Sequence, residues 1–231
     1  MAMLTDLADI ARAAGLKVVE VAGWKTRGHG QMSDIRTITC HHTANGGAKG
    51  AAPSLRVVRD GRPGLDGPLA HIVLGADGTV YVVAAGLCYH AGVSRDDDFT
   101  NAHAVGIEAE AAGTGTPSDW PDPQMDAYAR LCAALVRRYR LSVADVRGHK
   151  ETCAPAGRKS DPSFDMARFR GRVAHAITAH AAHHAQEDDD MTPSELVNAN
   201  VIDLRNGQAP KSLAELFRVL IAARYDQAAR L

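Results

Sequence analysis

The sequence lacks three features that would each have narrowed its role at once. It has no surplus of charge of either sign: 26 Lys and Arg against 27 Asp and Glu leave a formal net charge of -1. A duplex-binding surface needs a basic excess, so a nucleic-acid partner is not expected. No apolar run approaches the roughly 18 residues of a membrane span, so stable membrane insertion is not expected either. There is no CxxC pair, because Cys40, Cys88, Cys132 and Cys153 are scattered singly along the chain. That distribution suits buried or free thiols better than a disulfide framework or a cysteine-ligated metal. The first residues, "MAMLTDLADIARAAG", carry acids where a secretion signal needs a basic and then a continuously apolar region. Synthesis and folding in a cytoplasm, without a signal peptide, is the expectation.

Apolar patterning supplies the elements. Leu4, Leu7, Ala8, Ile10, Ala11 and Ala14 form a helical stripe ending at Gly15. "LKVVEVAGW" and "IRTITCHH" read as strands, and "GPLAHIVLGADGTVYVVA" as a hairpin turning at Ala76–Gly78. "AVGIEAEA" is a further strand. Asp122 is expected to cap a helix with Pro123 in its first position and a stripe through Tyr128, Leu131, Cys132, Leu135, Val136 and Tyr139. A last strong helix begins near Asp165, with Met166, Phe169, Val173 and Ile177 on one face. Strands interleaved with helices predict an α/β domain on a mixed central sheet flanked by helices, over residues 1–180.

"AHAAHHAQEDDD" reads as a fraying helix end and a linker over 181–190; its histidines beside a solvated acidic run fit a surface better than a metal site. Residues 191–231 read as a small helical appendage. Thr192–Glu195 and Ser212–Glu215 both match the capping-box pattern, and Leu213, Leu216, Phe217, Leu220 and Ile221 form one stripe. About 40 residues rarely hold a core alone, so this segment is expected to dock on the main domain, self-associate through 212–231, or meet a partner such as the cell wall.

The chemistry-bearing residues fall in separated segments. In "TITCHHTA" two histidines are adjacent, and adjacent strand residues face opposite ways. His42 shares a face with Ile38 and Cys40, while His41 shares one with Thr37 and Thr39, which favours His41 for a polar cleft. In "VRGHKETCAPAGRKSDPSFD", His149 closes a strand-like run, and a Pro/Gly-rich loop leads to Lys159 and Asp161. Two histidines from different segments and a carboxylate make the three-protein-ligand set of a catalytic zinc. A lysine two residues from the carboxylate lies on the same side of an extended loop and can stabilise an oxyanion. In "AVGIEAEA", Val105, Ile107 and Ala109 share the core face; Gly106, Glu108 and Glu110 share the other. Those carboxylates are either solvated or include a general base. His90, in "CYHAGVS", either donates to a substrate or caps its loop.

Taken together, "HHTA", "YHAG", "VGIEAE", "GHKE" and "GRKSDP", in this order and spacing, resemble the type 2 N-acetylmuramoyl-L-alanine amidases, a family that includes phage endolysins and is related to peptidoglycan recognition proteins. The resemblance runs from about Gly23 to Arg172, and "GWKTRGHG" and "WPDPQMDAYARLCAAL" look most like actinobacterial phage or prophage lysins. It implies one zinc ion held by His41, His149 and Asp161. It implies Glu108 as the general base, Lys159 beside the oxyanion, and His90 in contact with the glycopeptide. One phage branch uses a tyrosine before the histidine of an "HIVL"-like strand; here Ala70 precedes His71, so that variant does not apply. His42 becomes a neighbour of the site or a core residue.

The implied activity is zinc-dependent hydrolysis of the amide between N-acetylmuramic acid and L-alanine in peptidoglycan. The setting implied is lysis of the host wall, reached after holin-mediated release. The rivals are a peptidoglycan-binding module without turnover and a cytosolic amidase that recycles muropeptides.

Overall fold

The alternating runs become strands and the striped runs become helices. In chain order these are α1 (Leu7–Ala13), β1 (Val18–Glu20), β2 (Thr37–His42), α2 (Leu55–Asp60), β3 (Gly61–Arg62), β4 (Leu65–Asp66), β5 (Ile72–Leu74), β6 (Val80–Val82), β7 (Ala104–Ala109), α3 (Asp122–Tyr139), β8 (Val146–Gly148), α4 (His149–Thr152) and α5 (Met166–Asp190). The structure, a computed structural model, describes residues 1–45 and 50–190. The expected appendage over 191–231, with both its capping boxes, lies outside the described residues. The packing described below lies in the unit Met1–Ala179; His180 opens a second unit.

Six strands form one mixed sheet in the order β1-β6-β5-β7-β2-β8, while β3 and β4 pair as a separate ribbon. The β5–β6 hairpin is antiparallel, and the other pairings in the large sheet are parallel. Its turn is where the sequence puts it: the Asp77 carboxylate accepts from the backbone N–H and the hydroxyl of Thr79, both at 2.9 Å. Parallel strands are covered on both faces. Accordingly, every residue of β2 except His42 is buried.

One face of the sheet carries the main core. Ile38, Cys40, Ile72, Leu74, Val80, Val82, Val105 and Ile107 are all fully buried there, packed with Tyr128, Leu131, Cys132 and Leu135 of α3, with α1, and with Met166, Phe169 and Val173 of α5. The opposite face has a smaller cluster of Val21, Val58, Leu69, Ala70, Val73 and Val83. The rest of that second face is left for polar groups. All four cysteines are free and buried, as their spacing suggests.

Three boundaries differ from the sequence reading. The first strand shrinks to Val18–Glu20, because Gly23 takes a left-handed φ of 79° and starts a 3₁₀ turn at Trp24. Helix α3 is capped by Pro121 rather than Asp122, and Pro121 offers no side-chain bond. Asp122 sits instead in the first turn, where a carboxylate favours the helix dipole. Finally, α5 continues to Asp190, so the backbone over 181–190 is helical. Its Ala, Gln and Glu content suits a helix as well as it suits a solvated tail.

Candidate metal centre

The centre is assembled where parallel strands end. His41 lies in β2, in register with Glu108 of β7, and Gly148 of β8 pairs with Cys40 on the other side. His149 follows Gly148 directly and opens α4, so the sheet delivers both histidines to one place. Asp161 comes from the loop after α4. Its Oδ2 lies 3.0 Å from His41 Nδ1 and 3.2 Å from His149 Nδ1. The ligand atoms of the three residues lie within 4.8 Å of one another.

These residues fit a metal on the chemistry of their donors. His149 places Nε2 3.0 Å from the carbonyl of Ala91, an acceptor only, so Nε2 carries the proton and Nδ1 keeps its lone pair. Burial holds His41 neutral as well, its pKa pushed down to about 4 in spite of the Asp161 carboxylate. Two imidazole Nδ1 atoms and a carboxylate oxygen thus turn toward one small space, where all three could hold a cation. A mixed nitrogen and oxygen set with room for a further ligand suits zinc.

His42 faces away, as the alternation requires. It is half-buried, and its Nδ1 accepts from the Ser163 backbone N–H at 3.3 Å. It therefore steadies the segment just beyond Asp161. Two further groups do the same, and the sequence reading missed both. The Lys150 ammonium donates to the carbonyls of Pro162 and Phe164, each at 2.7 Å, and the Trp120 indole donates to the Ser163 hydroxyl at 2.9 Å. Lys150 sits inside "GHKE", and a lysine held by backbone carbonyls gives no signal in sequence beyond its neighbours.

Glu108 of β7 and Glu110, just beyond its end, have different environments. Glu110 is spoken for: Oε1 accepts from the Ser54 N–H at 2.7 Å, and Oε2 from the Ser54 and Thr43 hydroxyls, both at 2.9 Å. Glu108 Oε2 is buried and has no partner among the described residues. Burial pushes the Glu108 carboxyl well above its usual range, Asp161 adds to the effect, and the Lys159 cation opposes it. Lys159 also acts on His41, lowering its basicity, so its charge is felt on both sides of the centre.

His90, expected to meet the glycopeptide, lies inside the protein beside His41. His90 is 7% exposed, with Nδ1 3.2 Å from His41 Nε2 and Nε2 3.1 Å from the Ala104 carbonyl. Both ring nitrogens are occupied by the protein. His71, beyond it, is wholly buried; its Nδ1 accepts from the Gly106 N–H at 3.0 Å, and burial pushes its pKa down to about 3. No helix among the described residues is long and apolar enough to cross a membrane.

Comparison with known proteins agrees with this geometry. Residues 31–164 match the family model described as N-acetylmuramoyl-L-alanine amidase. The 1,6-anhydro-N-acetylmuramyl-L-alanine amidase AmpD of Citrobacter freundii is 34% identical over 108 residues, covering 45% of this chain and 56% of that protein. The protein of the same name from Enterobacter cloacae is 28% identical over 115 residues, covering 46% and 60%. The chain therefore spans little more than half the length of the curated relatives it matches. A crystal structure of a selenomethionine AmpD derivative superposes with a TM-score of 0.51 at 25% identity, covering 68% of this chain and 94% of the other. The amidase LysC from Clostridium intestinale gives a TM-score of 0.51 at 21% identity, over 68% and 97%, a likeness of fold. With its family segment containing His41, Glu108, His149 and Asp161, the chain belongs to the N-acetylmuramoyl-L-alanine amidase family.

Proposed function

We propose that this protein hydrolyses the amide joining N-acetylmuramic acid to L-alanine in peptidoglycan or its fragments, with zinc held by His41, His149 and Asp161. The observation that carries the reading is Glu108, whose buried Oε2 has no partner among the described residues and which lies in register with His41. When bound, zinc supplies Lewis acidity, which polarises a carbonyl and makes water a better nucleophile at neutral pH. Glu108 takes the proton from that water as it attacks and returns it to the leaving nitrogen. Its raised proton affinity suits a group that must hold the proton between those two events. Lys159 places a cation where negative charge develops on the carbonyl oxygen, an interaction worth about 3 kcal/mol in comparable sites. A binding module without turnover would have no use for a base kept free in this way.

The sequence motifs support a phage lysin acting on the intact wall. The curated relatives, named for 1,6-anhydro substrates, support a recycling role on soluble fragments instead. One experiment tests the reaction and separates these settings. The zinc-loaded full chain is incubated with purified sacculi and, separately, with soluble 1,6-anhydro-muropeptide, and new N-terminal alanine is measured. Release from sacculi supports the lysin; release from the fragment alone supports recycling. No new N-terminal alanine from either substrate overturns the assignment.

A further inference from the structure

The tautomer of His90 follows from its partners. The Ala104 carbonyl can only accept, so His90 Nε2, 3.1 Å away, carries the proton. The ring is buried with no carboxylate against it, so Nδ1 is bare, and Nδ1 lies 3.2 Å from His41 Nε2. His41 must then donate from Nε2, which turns the lone pair of its Nδ1 toward Asp161 and His149. The next residue does the same for the other histidine: the Ala91 carbonyl accepts from His149 Nε2 at 3.0 Å. Two consecutive residues orient both histidines. Their segment is clamped in turn, since Asn101 Oδ1 accepts from the N–H groups of His90 at 3.0 Å and Ala91 at 2.8 Å.

We propose that residues 90–91 are the orienting element of the metal centre, with His90 as the positioning residue that fixes His41 in the tautomer offering Nδ1 to a divalent metal. Gly106 makes this possible. A Cβ at position 106 would lie 2.6 Å from His90 Cγ, 2.7 Å from Cδ2 and 2.9 Å from Nδ1, closer than such atoms ever approach. The imidazole therefore lies flat on strand β7, over the one residue type that lets it, and a methyl there would lift the ring off His41. Alongside the strand, His71 accepts from the Gly106 N–H at 3.0 Å and fixes the backbone on which the ring rests. Hydrogen bonds to a ligating histidine set its orientation and basicity, and losing one commonly costs ten- to a hundredfold in metal affinity.

The inference rests on reading His41, His149 and Asp161 as the zinc ligands, and the test separates the two. Metal-free full-length protein is titrated with zinc chloride against a competing chelator, and the thermal midpoint of each metal-free variant is recorded. The wild type is expected to bind one zinc ion; if it binds none, the ligand assignment itself fails. His90→Leu should bind zinc about ten- to a hundredfold more weakly. His90→Asn, whose amide oxygen takes the place of Nδ1 as acceptor, should recover most of that loss. Gly106→Ala should weaken binding in the wild type and add nothing in a His90→Ala background, where no ring remains to be lifted. Unchanged affinity in His90→Leu, or the same Gly106→Ala penalty in both backgrounds, overturns the proposal. Nitrogen NMR of the metal-free wild type needs no variant to fold. Protons on Nε2 of both His41 and His90 are expected, and the opposite tautomer at either ring overturns it.

Discussion

On the face of β2 and β7 that α3 covers, Ile38, Cys40, Val105 and Ile107 close against Tyr128, Leu131 and Cys132. On the other face the same two strands turn His41 and Glu108 toward the site, with Glu110 just beyond the end of β7. The first face is completed by apolar contact, and the Tyr128 hydroxyl is used twice: it accepts from the His41 N–H and donates to the Ile107 carbonyl, both at 3.2 Å. The second face divides again. Glu110 has three donors, while Glu108 has a buried oxygen with none. Glu110 is buried as a whole, whereas Glu108 is partly exposed and only its Oε2 is withdrawn from water. What also distinguishes them is whether the fold has already supplied a partner, because a buried polar atom left unpaired costs about 1–3 kcal/mol unless function uses it.

That contrast can be broken in four places. His41→Ala should have the largest effect: zinc measured on the purified variant falls well below one equivalent, and turnover disappears with it. The core side of the sheet does not involve this ring, so far-ultraviolet circular dichroism should stay close to wild type. Next, Glu108→Gln should retain zinc and lose about a hundredfold or more in kcat. Glu110→Ala should do the reverse. Removing the acceptor for a buried Ser54 N–H should cost about 1–3 kcal/mol in urea unfolding, with kcat changed only a few-fold. If the two glutamate variants lose kcat equally, the base has been assigned to the wrong carboxylate. Smallest of all, His42→Ala removes one acceptor at a partly solvated position and should cost about 1 kcal/mol, with zinc near stoichiometric. Loss of metal in the His42 variant but not in the His41 variant would reverse the orientation of β2.

The sheet and the choice between adjacent histidines were legible because both depend on period-2 alternation, which is local. Strand β7 shows where this stops. Alternation puts Glu108 and Glu110 on one face and cannot rank them, since the groups that occupy Glu110 come from Thr43 and Ser54, remote in sequence. The placement of His90 was not legible for a related reason. Its loop composition suggests exposure, but its burial depends on the absent Cβ of Gly106 and on Asn101, neither of which a local pattern reveals. The motifs point to His41, His149 and Asp161, which the fold brings together, whereas the groups that steady them, Lys150, Trp120 and Asn101, act through main-chain atoms or a single hydroxyl and leave no periodic trace.

The unequal mounting of the three ligands has a mechanical consequence. His41 belongs to a strand with neighbours on both sides and is itself in register with β7, so displacing it means disrupting the sheet. Asp161 belongs to a loop whose tethers are a lysine, a half-buried histidine and an indole. The centre is therefore a vice with one fixed jaw and one that can slacken. Local openings with a small free-energy cost should release the carboxylate long before the strand histidine. Metal should enter and leave from the Asp161 side, and hydrogen exchange on the metal-free protein should run fast through 159–164 while 37–41 stays protected. Adding zinc should slow exchange in the loop far more than in the strand, because only the loop gains a constraint it did not already have.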